Sequence, residues 1–112
     1  MNTDHLAAAV DWLDAYRSQD LEGVLAFFAN DAALECGCSG SKIVAGKAAL
    51  RAYWQDQFCK LPASGLEDLE PSDTGATVDY RTPSGVLRIA MQFDDNGQII
   101  TARCGPVVAK AA

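Results

Sequence analysis

The residues able to do chemistry are few. The chain holds four cysteines, Cys36, Cys38, Cys59 and Cys104, a single histidine, His5, and three tyrosines, Tyr16, Tyr53 and Tyr80. A zinc site needs ligand spacings such as C-x2-C or paired histidines. Cys36-Gly37-Cys38 is C-x-C and His5 stands alone, so no metal site and no cofactor are expected. A thiolate base or nucleophile needs a cation, a histidine or a helix N-terminus beside it. None lies near Cys36 in sequence, and an apolar setting favours the neutral thiol. The plain reading of these cysteines is buried thiols packed as small hydrophobes.

The elements that position these residues follow from periodicity. A first helix is expected from Thr3 to Ser18, capped by Asn2 or Thr3. Leu6, Ala9, Val10, Leu13 and Tyr16 share its apolar face, with Trp12 at the edge. Asp20 is suited to cap a second helix, Leu21 to Ala29, which Asn30-Asp31 would break. A short strand, Ala32 to Cys36, is followed by the flexible loop Gly37 to Ser41 and a return strand, Lys42 to Ala45. Gly46 precedes a third helix, Lys47 to Lys60, with Leu50, Tyr53, Trp54, Phe58 and Leu61 as its stripe. Pro62 and Gly65 lie just beyond its end.

Strands and turns fill the remainder. Leu66 to Glu70 is an acidic candidate strand. Ala76 to Thr82 alternates Val78 and Tyr80 against Thr77, Asp79 and Arg81. Val86 to Asp94 alternates with Leu87, Ile89, Met91 and Phe93 on one face. Asn96-Gly97 is a strong hairpin signal before a last strand, Gln98 to Cys104, and a short tail follows from Val107. Helices on one face of a mostly antiparallel sheet define the α+β class. No linker or repeat divides the chain, so residues 1–112 are read as one domain.

Composition narrows the function classes. Nine Lys and Arg against fifteen Asp and Glu give a net charge of −6, which argues against a nucleic-acid partner. Hydrophobic residues make up 49% of the chain, enough for a core without a disulfide scaffold. The longest wholly apolar run, Leu6 to Val10, falls far short of the ~20 residues that span a bilayer, so no membrane partner is expected. The N-terminus shows no basic stretch leading into an apolar core, which points to a cytoplasmic location.

Four segments in order resemble the NTF2-like superfamily, and within it the SnoaL-like proteins. Residues 15–22, AYRSQDLE, look like the family's helix-to-helix junction. Residues 27–32, FFANDA, look like its approach to the first strand. Residues 44–54, VAGKAALRAYW, resemble its glycine-led third helix, and residues 93–99, FDDNGQI, its last hairpin. The resemblance spans about residues 5 to 106. It implies a cystatin-like cone, with three N-terminal helices packed on a curved, mostly antiparallel sheet. It also implies a cavity inside that cone and, in many members, a homodimer through the outer face of the sheet. It does not imply one reaction.

Laid over the ketosteroid isomerases of that superfamily, every required group is missing. The base position falls at Cys36, after Leu34 and Glu35, and the oxyanion tyrosine falls at Trp12. The protonated acid falls at Ile89, and the supporting tyrosines fall at Phe28 and Trp54. A dehydratase of the scytalone type would want cavity histidines. An epoxide-hydrolase site would want an inward Asp-Arg-Asp set, whereas Asp79, Arg81, Arg88 and Arg103 share outward parity. Glu35 faces opposite to Cys36.

The inward set is therefore apolar and aromatic, with Phe58, Val78, Leu87, Ile100 and Ala102 among its fillers. Trp12, Phe28, Leu34, Tyr53, Trp54, Tyr80, Ile89, Met91 and Cys104 are the expected ligand-binding residues. Cys36 and Tyr16 are the candidates for catalytic polar roles. This lining suits a hydrophobic small molecule. Any turnover would be an isomerase, cyclase or dehydratase reaction. The competing reading is a non-catalytic dimerisation or protein-interaction module, in which the same residues only fill the core. A third reading is a redox or metal-binding thiol protein, in which Cys36 pairs with Cys38, or with Cys104, whose strand the family fold sets beside the first.

Overall fold

The computed structural model describes residues 5–37, 42–60 and 62–106. The expected caps Asn2 and Thr3, the loop beyond Gly37, Leu61 and the tail from residue 107 lie outside the described residues.

The elements run α1 (His5–Arg17), α2 (Leu21–Ala26), β1 (Phe28–Cys36), β2 (Lys42–Ala45), α3 (Lys47–Lys60), β3 (Gly65–Ser72), β4 (Gly75–Thr82), β5 (Gly85–Phe93) and β6 (Ile99–Pro106). One sheet has the order β2-β1-β6-β5-β4-β3. β1 and β6 are parallel and every other neighbour is antiparallel. α1 lies against β3 and β4, and α3 lies against β1 and β2. This is the α+β arrangement expected, a curved sheet with helices over its inner face.

Local chemistry explains the helix boundaries. Asp20 caps α2 by accepting from the Gly23 amide at 3.0 Å. α2 stops at Ala26, three residues earlier than its apolar pattern suggests. The Phe27 carbonyl accepts from the Ile99 amide at 2.7 Å and Phe28 pairs with Ile99, so strand pairing with β6 takes over the residues that a longer helix would have used. β1 therefore begins at Phe28, not Ala32, with a register shift around the exposed Asn30-Asp31.

A second bulge lies across the sheet. Phe93 pairs with Ile99 while Gln92 pairs with Thr101, leaving Ile100 as the extra residue. Ile99 is fully buried, and Ile100, partly buried, packs against the same core. The hairpin between these strands is held by Asp94, whose carboxylate accepts from the Asn96 and Gln98 amides, and by Gly97 at φ 81°. Gly75 is required by close packing, since a Cβ there would lie 1.8 Å from the Met91 carbonyl oxygen.

The core sits between sheet and helices. Trp12, expected at the edge of the α1 stripe, is fully buried. β3 is the acidic sheet edge, longer than the pattern suggested and mostly exposed. Such an edge resists addition of another strand.

Candidate functional site

The inner face brings all eleven expected site residues into one buried cluster. Trp12 and Tyr16 come from α1, and Tyr53 and Trp54 from α3. Phe28, Leu34 and Cys36 come from β1, Tyr80 from β4, Ile89 and Met91 from β5, and Cys104 from β6. Helical spacing on α1 and α3 and strand alternation on the sheet aim these side chains at a common centre.

Aromatic rings fill that centre. Trp12 meets Tyr16, Trp54 and Tyr80 at centroid distances of 5.4, 5.5 and 5.8 Å, two of the three edge-on. Tyr16 also meets Trp54 and Tyr80 at 5.5 Å, and Tyr53 meets Trp54 at 4.9 Å. Edge-on rings at this separation attract beyond their buried area. The rings pack against one another inside the fold.

Two features of the cluster are polar. The indole N–H groups of Trp12 and Trp54 are buried and find no acceptor. A buried donor without a partner costs about 1–3 kcal/mol. The other feature is a thiol–phenol group. The Tyr53 hydroxyl donates to Cys36 Sγ at 3.3 Å, and the Tyr80 hydroxyl lies 3.9 Å from Cys104 Sγ. Burial, with the neighbouring thiols adding to it, pushes both phenols well above their ordinary pKa. They stay protonated at any ordinary pH and serve as donors, not bases.

Among the described residues the buried inner lining carries no carboxylate, imidazole or cation; its one further polar side chain is Gln57. Gln57 continues the Leu50, Tyr53, Trp54, Phe58 stripe at helical spacing. That spacing was the signal by which it could have been found. The unpartnered indoles had no sequence signal, because pairing depends on what the fold places nearby.

Access is uneven. Trp12, Tyr16, Trp54 and Tyr80 are wholly buried, whereas Cys36 and Tyr53 retain 6% and 8% exposure. Tyr53 also lines a groove of about 590 Å³ between β2 and α3, walled by Ile43, Ala49, Ala52 and Asp56 among others. The phenol that touches Cys36 thus stands between this groove and the interior.

The outer face differs. Arg88 grips Asp79 with two hydrogen bonds, 2.8 and 3.0 Å. Arg103 pairs with Glu35 and Arg81 with Glu67. Asp79, read as facing outward, is 6% exposed beneath this pairing. A shallow groove of about 480 Å³ crosses this face beside Ala33, Ala90, Thr101 and the exposed Ile43.

The SnoaL-like domain family matches residues 9–82. The chain belongs to that family. Its fold is similar to that of a SnoaL-like protein of unknown function from Burkholderia thailandensis, with a TM-score of 0.80 and 17% identity over 93% of this chain and 97% of that one. It is also similar to a protein from Kribbella flavida, with a TM-score of 0.75 and 21% identity over 92% of this chain and 86% of the other. No curated protein matches the chain. The match places this SnoaL-like domain in the NTF2-like superfamily, as its four sequence segments suggested. Among its described residues no helix is long and apolar enough to cross a membrane.

Proposed function

We propose that this SnoaL-like domain binds a neutral, lipophilic small molecule inside its cone, with an acceptor oxygen of the ligand facing the Trp12 and Trp54 indoles. The observation that carries this reading is the pair of buried, unpartnered indole N–H groups in contacting rings. A carbonyl or hydroxyl oxygen between them would offset a cost the protein otherwise bears. The uncharged lining disfavours an ionic ligand, since a buried charge without a partner is expensive. Tyr53 and Cys36, at the partly exposed edge, are the groups a ligand would meet first.

Protonated phenols and indoles are suited to stabilise developing negative charge on an oxygen. They cannot remove a proton. In an isomerase, cyclase or dehydratase reaction, Tyr16 would act as a donor, and proton abstraction would fall to Cys36. Binding without turnover is therefore the reading the lining supports best. The buried Cys36 thiol suits a reducing compartment such as the cytoplasm.

The test is a thermal-shift screen of steroids, terpenoids, aromatic polyketides and fatty acids against wild type, Trp54→Phe and Cys36→Ala. A ligand at a hundred times its Kd adds about 2.7 kcal/mol, a shift of several degrees. The expected result is a neutral, oxygen-bearing hit that loses about tenfold in affinity in Trp54→Phe, the equivalent of about 1.4 kcal/mol. A hit that binds both proteins equally removes the indole from the argument. No hit with wild type overturns the reading.

A second reading is favoured by the outer face, where Ile43 is 71% exposed at the side of a shallow groove. A second copy of the chain could cover it, giving a homodimer through the outer sheet face. Light scattering at micromolar concentration should then return twice the 11.9 kDa chain mass, and a monomer mass defeats it.

A further inference from the structure

Tyr53 stands apart from the other inner rings. It is 8% exposed, and its partner Cys36 6%, while Trp12, Tyr16, Trp54 and Tyr80 are wholly buried. Its ring leans edge-on against Trp54 at 4.9 Å. Trp54 is braced by Trp12, Tyr16 and Phe28 as well. The Tyr53 hydroxyl donates to Cys36 Sγ at 3.3 Å. Sulfur is a weak acceptor, so water at this partly exposed edge competes for the bond. Outside the ring lies the groove of about 590 Å³ between β2 and α3. Ala49 and Ala52, both exposed, wall it on the α3 side. Ala49 precedes Tyr53 by one helical turn, and an aromatic side chain on a helix leans over that turn. Alanine there leaves the groove open for the ring.

We propose that Tyr53 is the gate through which a small neutral molecule reaches the inner indoles. Its hydroxyl leaves Cys36 Sγ for water, and the ring turns about χ1 into the β2–α3 groove, over Ala49. The space it vacates opens a path to the Trp54 ring beside it. Return of the hydroxyl to the thiol closes that path. The hydroxyl keeps a partner throughout, since water takes the place of sulfur. A gate has a use only where a ligand enters the cone, so this inference rests on the ligand reading above. The opening itself belongs to the protein without a ligand, and it is tested without one.

Acrylamide, small and uncharged, is the probe. It quenches tryptophan fluorescence on contact, and the chain has two tryptophans, Trp12 and Trp54, both buried. Lifetime quenching is measured in folded wild type, Tyr53→Phe, Cys36→Ala, the double variant and Ala49→Phe. Tyr53→Phe keeps the ring and loses only the hydroxyl. Ala49 is exposed, so phenylalanine there fills the groove without entering the core. The quenching rate constant should rise about fivefold in Tyr53→Phe and in Cys36→Ala, the worth of one ordinary neutral hydrogen bond. The double variant should match the single ones, because both break the same bond. Ala49→Phe should quench more slowly than wild type, an effect that general loosening of the core does not produce. The proposal is overturned if Tyr53→Phe or Cys36→Ala quenches like wild type, if their effects multiply, or if Ala49→Phe quenches as fast as wild type. A ligand screen without hits would remove the ligand reading and leave these rates as measured, so the two failures are told apart.

Discussion

The two faces of β4 and β5 are made from alternate residues of the same strands, and they solve opposite problems. Val78, Tyr80, Ile89 and Met91 turn inward and meet helices, so their surface leaves water. Asp79 and Arg88 turn outward on the same two strands, and the carboxylate keeps company with a guanidinium over it. The inner face leaves two indole N–H groups without partners, whereas the outer face pairs Arg81, Arg88 and Arg103 within the chain. Unsatisfied donors mark where a ligand would be stabilised. Satisfied charges mark a surface whose polar groups are already at rest. On the proposed reading the inner face, where rings and orphaned polarity coincide, is the face that binds.

The largest test of that contrast is Trp54→Ala. Removing a fully buried ring that contacts Trp12, Tyr16, Phe28 and Tyr53 should cost about 3–5 kcal/mol in denaturant unfolding. A loss under about 1 kcal/mol would mean the interior is not the packed cluster described.

Alkaline pH should sharpen the same contrast. Tyr53 and Tyr80 are held protonated when folded and ionise near 10 when unfolded. Above pH 10 the unfolded chain binds fewer protons, so stability is intact below that pH and falls as pH rises. The slope is up to about 1.4 kcal/mol per pH unit for each phenol. Absorbance at phenolate wavelengths should show these two ionising only as the protein unfolds. Early titration of Tyr53 and Tyr80 would contradict their burial.

On the outer face the effects shrink. Asp79→Ala should destabilise the protein by less than Trp54→Ala, because Arg88 is half exposed and regains water. Arg103→Ala, which frees the exposed Glu35, should change stability by about 0–1 kcal/mol. An equal or larger loss than at Trp54 would reverse the ranking of the two faces.

The smallest effect lies at the helix junction. Arg51 of α3 holds the Glu22 carboxyl of α2 below the usual carboxylate range. That contribution is present above the ordinary glutamate pKa and is lost as pH falls through the lowered value. Glu22→Gln should flatten a small acid-side loss of stability, measured as Tm against pH.

Much of this was legible in the residues. Asp20 as a cap, the Leu50–Phe58 stripe and the alternation of β5 are local patterns, and the structure follows them. The inward set was legible too, because parity in a strand and a face on a helix are properties of the chain itself. What could not be read was set by partners distant in sequence. β1 claims Phe28 because Ile99 is there to pair with it. Ile99 and Ile100 both reach the core because a bulge lies opposite Phe93. Asp79 is buried because Arg88 covers it.

The sequence by itself determined which side chains face inward and that they form an uncharged aromatic lining, since period and composition act along one chain. Only the tertiary structure decided that Trp12 and Trp54 bury donors without acceptors, and that Cys36 meets Cys104 in register. Those facts arise from which atoms are brought across the fold to stand beside each other, and no local pattern encodes them.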